Sequence, residues 1–128
     1  MILDTENETM KIAVTSKGTD LDAEVDPRFG RAAYILIVDT KTFDFEVLDN
    51  QTNLNAFKGA GIQAASMVSD KGASILLTGS CGPNAFNTLK AANIKVASDV
   101  SGTVKDAVKS FNDGKLSLVE QPNKDGHW

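Results

Sequence analysis

The stretch that decides the fold runs from Gly61 to Ala97 and reads GIQAASMVSDKGASILLTGSCGPNAFNTLKAANIKVA. Apolar residues recur at helical spacing from Gly61 to Lys71, and the apolar run ASILLT follows from Ala73 to Thr78. Asn84 to Ala92 repeats the helical spacing, and IKVA from Ile94 to Ala97 repeats the strand pattern. Helices that alternate with strands in this way require crossover connections, which place the strands parallel in one sheet.

The flanking segments extend this sheet. KIAVTS (Lys11 to Ser16) and AYILIVD (Ala33 to Asp39) are predicted strands, and FDFEVL (Phe43 to Leu48) forms a hairpin with the second. In FDFEVL the apolar residues alternate with the acids Asp44 and Glu46, and we interpret these two acids, with Asp39, as the solvated face of the hairpin. Beyond Ala97, Thr103 is predicted to cap a third helix that ends at Gly114, and a last strand is predicted from Lys115 to Val119.

These elements predict an α/β fold, a three-layer α/β/α sandwich on a mixed and mostly parallel sheet. The chain has 128 residues, which suits one ordinary domain, and its hydrophobic content of 41% supports a single core. Residues 1–9 are polar and acidic, so we expect an N-terminal extension there. The domain is then predicted to span residues 10–120, with a polar C-terminal tail over residues 121–128.

Composition excludes several classes of function. The formal net charge of -4 disfavours a general affinity for nucleic acid. No apolar run reaches the ~18 residues needed to cross a bilayer, and the opening segment lacks the pattern of a signal peptide. We therefore expect a cytoplasmic protein with neither nucleic acid nor membrane as a partner. The single cysteine, Cys81, and the single histidine, His127, exclude an internal disulfide and a zinc site built from such side chains.

Three loops at predicted strand ends or helix starts are rich in glycine or cations: Ser16 to Arg31, Asn55 to Gly61, and Thr78 to Asn84. Their glycines leave backbone amides at helix N-termini open to an anion. The cations placed to join them are Lys17, Arg28, Arg31 and Lys58. The alternative is that the glycines serve only tight turns and helix caps. The long first loop has few apolar side chains to bury, so we expect it to be mobile until a ligand orders it.

Cys81 stands just before a predicted helix start, where a thiol can become a reactive thiolate or a soft-metal ligand. A buried thiol with no such role is the alternative. Hydrolase chemistry is disfavoured, because Asn87 stands where a phosphatase loop would need arginine and Ser80 has no histidine within the domain to act as its base. The glycine motifs match neither the dinucleotide fingerprint nor the phosphate loop of nucleotide hydrolases. We predict that the protein is not an enzyme.

Three motifs carry a resemblance to a known family: DPRFGRA at 26–32, GAGIQAA at 59–65 and GSCGPNA at 79–85. With the strands around them, they resemble the dinitrogenase iron-molybdenum cofactor biosynthesis family over residues 10–119. The resemblance implies a ribonuclease-H-like three-layer fold and a role as carrier or scaffold for molybdenum- or iron-sulfur clusters. It also implies partnership with cytoplasmic ATPases of the cell-division and cluster-assembly type.

This chain is a stand-alone domain without a cysteine cluster. Within the family it therefore resembles the members that hold a molybdenum-copper sulfide cluster largely without covalent protein ligands. Many members have a histidine just before the glycine turn, where this chain has Phe57 and Lys58. A histidine-ligated iron-molybdenum cofactor is therefore disfavoured, and an iron-molybdenum or iron-sulfur cluster stays the alternative cargo. A sulfide-rich polyanion would be held by cations and backbone amides, with no direct metal ligand expected and Cys81 as the one candidate.

The tail with His127 and Trp128 could close over the same edge. The predicted cluster-binding residues are Ser16, Lys17, Arg28, Phe29, Gly30, Arg31, Phe57, Lys58, Gly59, Ala60, Gly61, Gly79, Ser80, Cys81, Gly82, Pro83 and Asn84.

Overall fold

The computed structural model describes residues 10–51 and 60–119. In chain order its strands and helices are β1 (Lys11–Ser16), β2 (Tyr34–Asp39), β3 (Phe45–Asp49), α1 (Ala60–Asp70), β4 (Ile75–Leu77), α2 (Pro83–Ala91), β5 (Lys95–Ala97), α3 (Val104–Asn112) and β6 (Leu118–Val119). The predicted N-terminal extension and C-terminal tail lie outside the described residues. None of the helices within those ranges is long and apolar enough to span a membrane.

The six strands form one mixed sheet in the order β3-β2-β1-β4-β5-β6. β4 pairs in parallel with β1 on one side and with β5 on the other. The pairs β1–β2, β2–β3 and β5–β6 are antiparallel. The expectation of a mostly parallel sheet is therefore wrong, because β3 turns back from β2 as a hairpin and β6 folds back along β5. The α/β class is confirmed, with three parallel strands at the centre.

Helices cover both faces of the sheet. On one face α1 and α2 pack onto alternate strand residues, with Ala64, Ala65 and Leu89 in the same buried cluster as Ala13. On the other face α3 packs onto a second cluster that contains Ile12 and Val14 of β1. Successive residues of β1 thus serve opposite cores, as the two-residue period of a strand requires. β1 has no exposed apolar side chain.

The ends of α2 and α3 follow from local sequence. Thr103 is the N-cap of α3, and its hydroxyl accepts a hydrogen bond from the Asp106 amide at 3.0 Å, as predicted. The Gly114 amide donates to the Phe111 carbonyl just past the end of α3. α2 begins differently: Gly82 is its N-cap without a side-chain hydrogen bond, and Pro83 occupies the first turn.

The edge strand β3 departs from the predicted pattern. Asp44 and Glu46 are exposed as expected, but the apolar residues Phe45 and Val47 are also 40% and 37% exposed. Only Leu48 is buried in this strand. Phe45 and Val47 are exposed because β3 is the edge strand of the sheet, whereas α3 packs against the central strand β1. β6 is also shorter than predicted and contains only Leu118 and Val119.

Candidate functional site

Three segments meet at the carboxyl ends of the parallel strands β1, β4 and β5. We call residues 17–33 after β1 the arginine loop and residues 78–82 after β4 the glycine turn. The third segment, residues 98–103, connects β5 to α3. This edge is where open α/β sheets commonly place ligands.

The arginine loop is tied to its surroundings rather than left without partners. Val25 forms a bridge with Ser16, and its amide donates to the Gly102 carbonyl at 2.8 Å. The Asp26 amide donates to the Thr15 carbonyl at 2.9 Å, and the Thr15 hydroxyl donates back to the Asp26 carbonyl at 2.6 Å. These hydrogen bonds hold the loop in place, so they do not support the expectation of a mobile loop. That expectation rested on the number of apolar side chains, which does not reveal backbone hydrogen bonds.

The glycine turn holds the arginine loop from the other side. The Ser80 hydroxyl donates to the Pro27 carbonyl at 2.9 Å, and the Ser80 carbonyl accepts from the Phe29 amide at 3.1 Å. Gly79 allows this approach, because a β-carbon at that position would stand 2.6 Å from the Pro27 Cα. The two loops are therefore joined, and Arg28 forms a bridge with Ser80, three residues before the start of α2.

Arg28 and Arg31 are exposed, and neither has an ion pair among the described residues. The backbone that carries Arg28 is fixed by Asp26, whose Oδ1 accepts from the Arg28 amide at 3.0 Å. The turn around Arg31 is held by Asn50, which is fully buried and donates through Nδ2 to the Ala32 carbonyl at 2.7 Å. Two guanidinium groups are thus presented to solvent from a constrained backbone.

The N-terminus of α2 lies next to this cationic surface. The amides of Asn84 and Ala85 have no hydrogen-bond partner within the described ranges, as the first turn of a helix leaves them. The start of α1 approaches the same point, since a β-carbon on Gly61 would stand 3.0 Å from the Ala85 Cβ. Neither helix has an acidic residue in its first turn. The starts of α1 and α2, each with the partial positive charge of a helix N-terminus, therefore pack against each other within the described residues.

Cys81 and Phe29 lie under this surface rather than on it. Phe29 is fully buried, Cys81 is 1% exposed, and both belong to the core on the α1–α2 face. Burial raises the pKa of the Cys81 thiol to about 12, so the group is protonated at neutral pH. The sequence position suggested a thiolate, but desolvation acts in the opposite sense here. Phe29 anchors the arginine loop.

The other predicted residues divide into two groups. Ser16 is buried and its hydroxyl is engaged with the Gly18 backbone, while Lys17 is paired with Glu24 at 3.7 Å. Both are therefore turned to local contacts rather than to the arginines. Phe57, Lys58, Gly59 and the side chain of Ala60 fall outside the described residues. The predicted residues that reach the surface are Arg28, Arg31, Gly61, Gly79, Pro83 and Asn84, whereas Gly30, Ser80 and Gly82 are buried in the loops beneath it.

Two residues of this region escaped the sequence prediction. Asn50 sits at the end of the hairpin, and no local motif indicates that its amide reaches the Ala32 carbonyl 18 residues away. Asp99 places an exposed carboxylate near the glycine turn, since its amide donates to the Gly79 carbonyl at 2.8 Å. Asp99 has a φ of 62°, and its residue type was the only sequence signal, because Asp and Asn adopt this left-handed conformation more often than most other residues.

The surface offers hydrogen-bond donors rather than metal ligands. Within residues 10–51 and 60–119, no three carboxylate, thiol or imidazole side chains gather where they could hold a metal ion. A cavity of about 440 Å³ is lined by Phe86, Lys90, Ile94 and Val119 among others, but it lies at the opposite end of α2. The described chain also leaves β6 in the direction opposite to β5, away from this surface. His127 and Trp128, which were predicted to close over this edge, lie outside the residues that the structure describes.

Comparison with known proteins places the chain in a family. A family model described as dinitrogenase iron-molybdenum cofactor matches residues 10–114. The apo orange protein of Desulfovibrio gigas is 47% identical, with a TM-score of 0.88 over 91% of this chain and 98% of that one. A Thermotoga protein described as a candidate NifB is 35% identical, with a TM-score of 0.78 over 91% and 99% of the two chains.

A further relative is similar over most of the chain. It is an uncharacterized protein of Methanocaldococcus jannaschii, 28% identical over 114 residues, which are 87% of this chain and 92% of that protein. The resemblance inferred from DPRFGRA, GAGIQAA and GSCGPNA is thereby confirmed. The chain belongs to the dinitrogenase iron-molybdenum cofactor family.

Proposed function

We propose that this protein binds and carries a preformed metal-sulfur cluster that contains molybdenum, and that the cargo is a molybdenum-copper sulfide. The observation that carries the proposal is the pairing of the Arg28 backbone with Ser80, just before α2, where the start of α1 also packs against α2. The ribonuclease-H-like, three-layer arrangement is part of the proposal, and helices on both faces of the sheet support it.

The chemistry of this surface suits a polyanion with sulfide at its periphery. Guanidinium groups and the amides of Asn84 and Ala85 can donate charge-assisted hydrogen bonds to terminal sulfides. The whole chain is acidic, with a formal net charge of -4, so the local positive surface would be selective for a compact anion of high charge. Cargo held in this way enters and leaves without breaking a protein-metal bond.

Carriage rather than catalysis is proposed because Cys81, the one candidate nucleophile or thiolate ligand, is buried and protonated. The Cys81 thiol donates a weak hydrogen bond of 3.8 Å to the Gly82 carbonyl. Cluster uptake should therefore survive Cys81→Ser in protein that remains folded. Complete loss of the cluster from the folded variant would make the thiolate a ligand.

The test is reconstitution of apo protein with tetrathiomolybdate and a copper(I) salt. We expect a coloured protein with bound molybdenum and copper after desalting, and retention that falls as salt rises. The double variant Arg28→Ala/Arg31→Ala should retain much less of both metals. Its matched control is Lys90→Ala/Lys95→Ala, which makes the same change in net charge at the opposite end of the sheet.

Equal uptake by the arginine variant and the wild type would reject the cationic surface as the site. Equal losses of bound molybdenum and copper in both double variants would show that uptake depends only on the net charge of the protein. An iron-molybdenum or iron-sulfur cluster is the alternative cargo, favoured by the description of the family model. Metal analysis of protein purified from its native cells separates the cargoes, since copper and iron are measured together.

A cytoplasmic location and transfer of the cluster to or from ATPases of the cell-division and cluster-assembly type complete the proposal. They rest on the family resemblance in the sequence. Co-purification of such an ATPase from native cells, dependent on the loaded state of the protein, would support this part of the proposal.

A further inference from the structure

Strand β3 is an edge of the sheet with an open backbone. On its inner side, the Asp39 amide donates to the Asp44 carbonyl and the Asn50 amide donates to the Ala33 carbonyl. The backbone N–H and C=O groups of successive residues point to opposite sides of a strand. Those of Asp44, Glu46 and Leu48 therefore point towards β2, and those of Phe45 and Val47 point outward. No residue within 10–51 or 60–119 pairs with these outward groups.

The side chains at the open positions are apolar and exposed. Phe45 and Val47 lie opposite Val38 and Leu36 of β2, which places them on the face that α3 covers farther along the sheet. Phe45 is 40% exposed and Val47 is 37% exposed. Natural edge strands are usually shielded by charge, proline or a covering element, and two neighbouring exposed apolar residues on one face are a departure from that pattern.

The charges around this apolar pair are acidic. Asp44 precedes it and Asp49 follows it at the end of the strand, and neither has an ion pair among the described residues. Glu46, on the other face, is already paired with Lys71 at 2.6 Å. A strand laid along β3 would therefore meet carboxylates at both ends and apolar side chains between them.

We propose that β3 is a docking edge for an extended segment of a partner protein, in which apolar residues alternate with lysine or arginine. Such a segment would add a seventh strand to the sheet through the outward groups of Phe45 and Val47. Its apolar residues would lie opposite these two side chains, and its basic residues would face Asp44 and Asp49. A second copy of this chain is the poorer occupant, since it brings the same carboxylates to a shared seam in a protein of net charge -4.

The test uses a fluorescein-labelled peptide, Lys-Thr-Val-Lys-Val-Lys, and its charge-inverted counterpart, Glu-Thr-Val-Glu-Val-Glu, in anisotropy titrations with the whole protein. The basic peptide should bind more tightly than the acidic one, with an affinity that falls as salt rises. Phe45→Glu should weaken binding by at least about tenfold, because it removes the burial of one large apolar side chain. Leu118→Glu is the matched control, an exposed apolar residue of the opposite edge strand, and should leave binding unchanged.

Amide hydrogen exchange provides a readout of strand addition itself. Bound peptide should slow exchange at Phe45 and Val47, whose amides face the open edge, and leave Glu46 unchanged because its amide already faces β2. Equal binding of both peptides, equal weakening by Phe45→Glu and Leu118→Glu, or unchanged exchange at Phe45 and Val47 would overturn the proposal. So would a dimer, seen by sedimentation, that Phe45→Glu dissolves. None of these outcomes depends on cluster binding, so the proposal stands or falls separately from the proposed function.

Discussion

Gly79 and Pro27 approach so closely that a β-carbon on Gly79 would stand 2.6 Å from the Pro27 Cα and 2.7 Å from the Pro27 carbonyl oxygen. The obstruction is backbone rather than the end of a flexible side chain, so it cannot be relieved by a change of rotamer. This contact joins the glycine turn to the arginine loop. It explains physically why the motif GSCG begins with a residue that has no side chain.

Gly79→Ala should therefore separate the two loops. We expect a loss of stability of about 1–3 kcal/mol, the usual range for an atom forced into a packed site, measured by urea unfolding. Anion uptake should fall with it, because Arg28 would move relative to α2. Gly72→Ala is the control: its φ of 77° carries strain, but nothing lies within 4 Å of the new β-carbon. Unchanged uptake by the Gly79 variant would show that loop contact does not position the site.

Asn50 provides a second support for the same loop. Asn50→Leu keeps a similar side-chain volume but removes the donor to the Ala32 carbonyl, which then stays buried without this partner. We expect a loss of stability of about 1–3 kcal/mol and weaker retention of an anionic cluster, because the turn that presents Arg31 loosens. Circular dichroism in urea and metal retention after desalting measure the two effects. A variant as stable as the wild type would contradict this role.

Sequence patterns predicted the central part of the fold because helical spacing and apolar runs report burial directly. β1 has the predicted bounds, and the cap of α3 by Thr103 is as predicted. The edges were less predictable: Phe45 alternates with acids as a half-buried strand does, yet α3 does not extend over β3. Alternation reports which residues share a face, but tertiary packing decides whether that face is covered.

The site was predictable to the level of its loops but not of its contacts. Glycine and arginine motifs indicated the converging segments, because they follow strands whose carboxyl ends share one edge of the sheet. Burial of Phe29 and Cys81 and the long-range hydrogen bond of Asn50 depend on residues far apart in the chain. Cys81 shows the limit clearly, because its place before a helix favours a thiolate and its place in the core favours a thiol.

The thiol of Cys81 has a measurable consequence for pH dependence. Its pKa is about 12 in the folded protein, above its ordinary value of 9.0, because burial penalises the charged form. Above pH 9 the unfolded chain releases a proton that the folded chain keeps, so stability falls as pH rises towards 12. The fall attributable to this group is about 1.4 kcal/mol per pH unit in that window. Cys81→Ala should unfold in urea with a shallower pH dependence than the wild type above pH 9, whereas parallel curves would mean that Cys81 titrates normally.

Hydrogen exchange should distinguish an anchored arginine loop from a mobile one in the apo protein. The amides of Val25, Asp26 and Phe29 donate to Gly102, Thr15 and Ser80. We expect these three to exchange slowly, and the exposed tip around Asp22 to exchange faster. Exchange at unprotected rates along the whole of residues 17–31, followed by protection when a cluster binds, would instead support ordering by the ligand.

Asp99 offers a test in which the proposed cargo should bind more tightly. Its amide donates to the Gly79 carbonyl, so its exposed carboxylate stands near the cationic surface and repels an incoming anion. Asp99→Asn removes the charge and keeps a residue that tolerates the φ of 62°, so the backbone should not change. We expect a gain in affinity for thiomolybdate of about two- to fivefold at low ionic strength, which disappears as salt screens the charge. Asp113→Asn makes the same charge change at the end of α3, and an equal gain in that variant would show that only the net charge of the protein matters.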